Sequence, residues 1–335
     1  MRIGNTFLEE MIISASRRTD IPAFYGDWFM NRVRDGFFYR VNPFNSNQVT
    51  GFSLQPADVD AICFWTKNPA PLMKHLDELD GRGLNYYFQF TLNPYNREFE
   101  PHVPLVEERI AVFRKLADCI GQDRVIWRYD PVILTSITPV SWHLEQAERI
   151  VGHLGDSIRR MVFSFYDFYG KGEGRLYQAL RNTGITLEDI TVAEQSKTLD
   201  MLARGFKNIA TTHNLRIFTC SEEVDLTAIG INRGACIDGT LVQELFGASP
   251  SIIKDKNQRK ACGCIESVDM GIYNTCQFRC SYCYANFNEG MIESNRRKHC
   301  PDSPSLLGRY NDEITIQKSI KKKKSCAGCQ PDYCM

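Results

Sequence analysis

The sequence predicts an α/β protein built on a parallel sheet, in the form of a full or partial barrel. Three observations lead there. Apolar, β-branched and aromatic runs alternate with helical patterns along most of the chain. The runs are apolar almost throughout, as strands covered on both faces should be. Polar residues gather where the runs end, which is where parallel α/β architectures carry their sites.

In order, MIISAS (11–16) reads as a strand, followed by an amphipathic helix over 24–34 that Gly36 stops. FFYRVNP and QVTGFSL flank the turn-rich FNSN and suit a hairpin. AICFWTK (61–67) is the next strand, with a helix over 70–79 ending at Gly81. NYYFQFTLN (85–93) is a strand, and 104–120 a helix rich in Glu, Arg, Leu and Ala. RVIWRYDPVIL (124–134) is a strand broken by Pro131, and 142–154 is helical. RRMVFSFYDFY (159–169) and LRIFTCS (215–221) are strands on either side of a long helix over 190–213. VDMGIYN (268–274) is the seventh strand. The strand ends carry Arg17, Arg18, Thr66, Lys67, Asn93, Arg128, Asp130, Ser164, Tyr166, Glu222 and Glu223. Any one of these can simply terminate a strand. As a set they outline a site, and Arg17, Lys67, Arg128, Asp130 and Glu222 are its candidate chemical groups.

The 335 residues suit one α/β barrel with a small addition. We divide them into a core over 1–287, which includes a cluster loop at 275–284, and an extension over 288–335 with a Lys- and Cys-containing tail. Hydrophobic residues make up 43% and charged residues 24%, as in soluble globular chains. No apolar run is long enough to cross a bilayer, and the N-terminus has no signal-peptide pattern, so the cytoplasm is the expected compartment. Lys plus Arg equals Asp plus Glu at 40 each, without the basic excess usual in duplex-DNA binders. The lysines at 321–324 read as a solvated run.

Thirteen cysteines are many for a reducing compartment, where clustered thiols indicate metal before disulfides. Cys63 and Cys119 stand alone in apolar stretches and read as core packing. The other eleven lie between Cys220 and Cys334. Among them Cys276, Cys280 and Cys283 form C-x3-C-x2-C directly after the last strand. Three thiolates on a short loop suit three irons of a 4Fe–4S cubane, leaving the fourth iron open for chemistry. The alternative is structural zinc, with Cys280 and Cys283 as one knuckle and Cys326 and Cys329 as the second; that leaves Cys276 surplus.

The segment DMGIYNTCQFRCSYCYAN resembles the cluster loop of the radical S-adenosylmethionine (SAM) superfamily, and CSYCYAN is most similar to its spore photoproduct lyase branch. The resemblance extends to FWTKNPAPLMKHLDEL, FTLNPYNREFEPHVPLVEERIAVFRKLAD and RVIWRYDPVIL, covering roughly 60–135 and 266–287. It implies SAM chelated at the open iron, Tyr282 near the adenine, and hydrogen abstraction by a 5′-deoxyadenosyl radical from an unidentified substrate. It also implies a low-potential electron donor such as flavodoxin or ferredoxin. Nucleic acid enters as a partner only through this likeness, and no membrane is expected. The cluster loop follows the other strands, where the superfamily has it first, so a circular permutation is expected. As a whole the chain is similar to an uncharacterised bacterial family, domain of unknown function 1848. That resemblance implies counterparts for Cys220, Cys236, Cys262 and Cys264, which suffice for an auxiliary cluster or zinc. They also read as packing residues, or one of them as a hydrogen-atom donor. Cys300, Cys326, Cys329 and Cys334 are left unassigned. A redox sensor without catalysis and a nucleic-acid-binding module are the readings from other classes.

Overall fold

The computed structural model describes residues 11–42, 45–168 and 171–308. Its centre is an eight-stranded, all-parallel sheet. The strands are β1 (Met11–Ala15), β2 (Val59–Thr66), β3 (Tyr86–Thr91), β4 (Val125–Val132), β5 (Arg160–Phe165), β6 (Arg216–Cys220), β7 (Asn232–Gly234) and β8 (Val268–Asp269). Their spatial order is β7-β6-β5-β4-β3-β2-β1-β8, so the last strand in sequence lies outside the first. The hydrogen-bonded order is linear, with β7 and β8 as its edges.

The two faces are covered differently. Ile13, Ile62, Phe64, Phe88, Phe90, Trp127, Tyr129 and Phe163 point to the helical side. There they meet helices α1 (Gly26–Asp35), α2 (Val106–Ile120), α3 (Val140–Leu154) and α4 (Ser196–Thr212). The alternate residues Ile12, Ala61, Cys63, Tyr87, Ile126 and Val162 point inward and pack against the segment 236–265, which includes helix α5 (Gly239–Phe246). That segment crosses this face of the sheet: the Cys236 carbonyl accepts hydrogen bonds from Tyr87 Oη (2.8 Å) and Gln89 Nε2 (3.0 Å) of β3. The central strands β2, β3, β4 and β5 are therefore buried on both faces, which is why their sequences are largely apolar.

β8 is shorter than the run 268–274 suggests, and one carboxylate explains where it stops. Asp269 accepts from Ser14 Oγ (2.9 Å), Ser16 Oγ (2.8 Å), the Arg17 amide (3.0 Å) and the Gly271 amide (2.9 Å). This knot ties β8 to the end of β1 and turns the chain out of the sheet. A Cβ on Gly271 would stand 1.9 Å from Ser16 Oγ, so the turn admits only glycine.

The hairpin forms as an antiparallel pair, Phe37–Asn42 with Asn45–Ser53. Gly36 ends α1 in the left-handed conformation (φ 77°) that favours glycine. Three expectations need correction. The sheet has an eighth strand, β7, which is three residues long and carries no apolar run. The helix expected over 190–213 begins at Ser196. Cys119 is exposed, because α2 turns Phe113, Leu116, Ala117 and Ile120 inward and leaves position 119 on the outer face. Helix α6 (Glu289–Lys298) and the residues after it pack back on the core, with Trp28 Nε1 donating to the Ser303 carbonyl at 2.9 Å. The lysines at 321–324 and Cys326, Cys329 and Cys334 lie outside the described residues.

Candidate functional site

Because all eight strands run the same way, their C-terminal ends meet at one rim. A cavity of about 480 Å³ opens there. Its wall includes Arg17, Lys67, Arg128, Asp130 and Ser164 from the strand ends. Both cysteine groups line it as well: Cys276, Cys280 and Cys283 on one side, Cys220, Cys236, Cys262 and Cys264 on the other. A volume of this size accommodates a small-molecule cofactor together with part of a substrate.

The three-cysteine loop is held by its own backbone. Asn274 (φ 57°) and Arg279 (φ 55°) adopt left-handed conformations that fold the loop on itself. Thr19 and Thr275 hydroxyls meet at 2.5 Å, and Tyr25 Oη donates to the Thr275 carbonyl at 2.7 Å. Asn286 Nδ2 donates to the Cys276 carbonyl at 2.6 Å. Burial lifts the Cys276 thiol well above its ordinary range, and Asp20, Cys283 and Cys280 push it further the same way. Burial likewise raises Cys280 to about 12. Three thiols whose anionic forms oppose one another are a donor set that a cationic iron–sulfur cluster satisfies.

One hydrogen-bonded triangle joins this loop to the sheet. Lys67 Nζ lies 2.8 Å from Glu100 Oε1 and 2.9 Å from Tyr282 Oη, and Tyr282 Oη closes the triangle on Glu100 Oε1 with a short bond. Asn93 Nδ2 reaches the same hydroxyl at 3.3 Å. Glu100 is buried with Arg109 Nη2 at 3.5 Å. Burial drives its carboxyl upward, but Lys67 and Arg109 together hold it below the usual carboxylate range. The hydroxyl of Tyr282 is thus fastened into the protein. The sequence pointed to Lys67 and Tyr282 separately; Glu100, in EPHVP, is the residue it left out.

Arg128 pairs with Asp130 through a short contact and donates from Nη1 to Cys236 Sγ at 2.7 Å. Asp130 also accepts from Ser164 Oγ, and burial, which raises it, is outweighed by Arg128. Arg17 stacks over Trp65 with 5.7 Å to the ring centroid and stands 3.7 Å from Asp255. Glu222 does not reach the cavity lining. It accepts from the Phe165 amide at 2.8 Å, and burial raises its carboxyl to about 8. Four buried polar atoms on lining residues have no hydrogen-bond partner: Arg17 Nη2, Trp65 Nε1, Ser221 Oγ and Asn286 Oδ1. Such atoms are costly unless a ligand or water completes them.

The second cysteine group comes together from three separate stretches of chain. Cys220 Sγ and Cys236 Sγ are 2.9 Å apart. Cys264 lies within hydrogen-bonding reach of both Cys236 and Cys262, and accepts from the Ile237 amide at 3.4 Å. Successive sulfurs are thus neighbours, Cys220 with Cys236, Cys236 with Cys264, and Cys264 with Cys262. Among the described residues, no three His, Cys, Asp or Glu side chains are arranged around one point to hold a single metal ion. A cubane spreads its thiolate ligands more widely than a single ion does, so that finding concerns zinc-type sites.

The fold and rim define a parallel α/β protein with a cysteine-lined cavity at its strand ends. The chain belongs to the family described as domain of unknown function (DUF1848), whose model matches residues 12–285 and so takes in both cysteine groups. No curated protein matches it. Two solved structures are similar at 12% identity. One is the cellulose synthase subunit Z (CcsZ) of Clostridioides difficile (TM-score 0.27, 63% of this chain and 80% of that one). The other is a putative α-L-fucosidase of Bacteroides thetaiotaomicron VPI-5482 (TM-score 0.24, 72% and 86%). Likeness at these TM-scores carries no argument about fold or function.

Proposed function

We propose that this chain is a radical SAM-type enzyme on a circularly permuted partial barrel. Cys276, Cys280 and Cys283 would hold a 4Fe–4S cluster with SAM at its open iron. The observation that carries the reading is the position of β8. It pairs with β1 in parallel (Ile13 with Val268, Ser14 with Asp269), so the three-cysteine loop leaves a strand end into the shared cavity. A zinc-binding appendage has no reason to enter the main sheet. Held by Cys276, Cys280 and Cys283, the cluster would supply one-electron reductive cleavage of SAM, with flavodoxin or ferredoxin as the low-potential donor.

The chain's own residues have separable tasks in this reading. The Lys67–Glu100–Tyr282 triangle fixes the loop between its second and third cysteines. Arg17 Nη2 and Asn286 Oδ1 lack protein partners beside the loop and offer a donor and an acceptor to the zwitterionic cofactor or to a substrate anion. Trp65, Phe165 and Phe278 line the cavity and exclude water from a reactive intermediate. With dithionite as reductant, the reconstituted protein should release 5′-deoxyadenosine from SAM, measured by liquid chromatography. Cys280→Ala should abolish that release. Wild-type protein that carries a full cluster yet yields no 5′-deoxyadenosine would overturn the enzyme reading in favour of a sensor.

A further inference from the structure

The second cysteine group has a geometry of its own. We propose that Cys220 and Cys236 are a redox-active dithiol/disulfide pair in the cavity wall, with Cys264 next in line as an exchange thiol.

Two sulfurs 2.9 Å apart are closer than non-bonded thiols settle, and only one bond's rearrangement from a disulfide. Cys220 closes strand β6 and Cys236 follows β7, neighbouring parallel strands paired up to Cys220 and Gly234. Their backbones are thus held side by side, as a cross-link between them requires. Arg128 Nη1, 2.7 Å from Cys236 Sγ, is a fixed cation beside the pair. Cys220 is half-buried and both sulfurs' residues line the cavity, so a small molecule entering it meets them. Cys220 and Cys236 are the pair in direct sulfur contact, and among the described residues no three of these side chains are placed to hold a single ion.

The co-reactant is a small organic disulfide, and the step is thiol–disulfide exchange. Cys220 attacks one sulfur of the disulfide and displaces one thiol. Cys236 then attacks the Cys220 sulfur of the mixed disulfide and displaces the second. The protein loses two S–H bonds and gains one S–S bond; the partner loses one S–S bond and gains two S–H bonds. Two electrons pass from protein to partner. Run backwards, two thiols in the cavity return two electrons to the oxidised pair, which regains its two S–H bonds as the thiols join in a disulfide.

The test uses the full chain, reduced anaerobically, exposed to bis(2-hydroxyethyl) disulfide, alkylated and digested with trypsin. Cys220 and Cys236 fall on different peptides, 217–233 and 234–254. The expected result is those two peptides joined, lighter together by two hydrogens and separated again by dithiothreitol. The same link should form in Cys264→Ser and in Cys276→Ala, so its appearance does not depend on the cluster reading. Two outcomes overturn the proposal. In one, both cysteines stay separately alkylated and the protein holds stoichiometric metal that Cys236→Ser releases, which makes the group a metal site. In the other they stay separately alkylated with no such metal, which makes them packing residues.

Discussion

At the scale of single residues, the site rests on two buried arrangements that fail differently. Replacing Cys276, Cys280 or Cys283 with Ala should remove the iron–sulfur absorption of the reconstituted protein while leaving its far-ultraviolet circular dichroism unchanged. On the proposed reading the thiols serve the cluster, and the sheet forms without them. Lys67→Met should do the opposite. It leaves the buried Glu100 carboxylate with Arg109, at 3.5 Å, as its one remaining cationic partner beside the Tyr282 hydroxyl. Removing one partner of a buried ion pair costs about 3 kcal/mol or more, so the denaturation midpoint should fall. An unchanged midpoint in Lys67→Met would mean that the triangle does not hold the loop. Which residues were legible in the sequence follows from this contrast. The three cysteines announce themselves by spacing. Glu100, Trp65 and Asp269 do not, because each acts through neighbours distant in sequence: Glu100 through Tyr282, Asp269 through Ser14 and Ser16. Their segments stand out in the sequence, but nothing local assigns these three residues a task there. Cys119 misled for the same reason, since an apolar neighbourhood in sequence does not say which way a helix faces.

At the scale of elements, the junction of α3 with β4 makes the fold sensitive to acid. His143 on α3 is buried, with Nδ1 2.8 Å from Tyr129 Oη and Nε2 3.0 Å from the Ile133 carbonyl. The carbonyl can only accept, so Nε2 carries the proton and Nδ1 accepts from the tyrosine. The neutral ring is fully satisfied, and burial lowers its pKa to about 4. Here the folded pKa lies below the unfolded one. The unfolded chain binds a proton near pH 6.5 that the folded chain refuses until about 4, so stability is lost as pH falls through that window. The loss should reach about 3 kcal/mol and then level off for this group. Urea midpoints at pH 7 and pH 4.5 measure it, and His143→Gln should flatten that part of the profile. The strands themselves were readable because burial on both faces demands long apolar runs. The short edge strand β7 was not, because three residues, Asn-Arg-Gly, take part through backbone pairing alone.

At the scale of the whole molecule, the order β7 to β1 and then β8 makes the C-terminal part integral to the sheet. A chain ending at Ile265 would leave β1 as an open edge and Ser14 and Ser16 without Asp269. Unpaired edges associate, so this truncation should elute as oligomers and lose cooperative unfolding, as size-exclusion chromatography and thermal melts would record. A monomeric, cooperatively folding 1–265 would show β8 to be an accessory. The place of β8 was legible only as a consequence of the cysteine motif: a loop expected after a strand end had to bring its strand with it. The sequence gives no comparable sign that the second cysteine group shares the cavity, since that depends on segment 236–265 crossing one face of the sheet.

The central claim is that the three-cysteine loop carries a 4Fe–4S cluster with an iron open to SAM. Electron paramagnetic resonance of the anaerobically reconstituted, dithionite-reduced protein tests it most directly, recorded with and without SAM. The account predicts a reduced 4Fe–4S signal whose g-values shift when SAM is added, and which is absent from the Cys276, Cys280 and Cys283 variants. A signal that SAM leaves unchanged, or a protein that binds zinc and no iron, would contradict it.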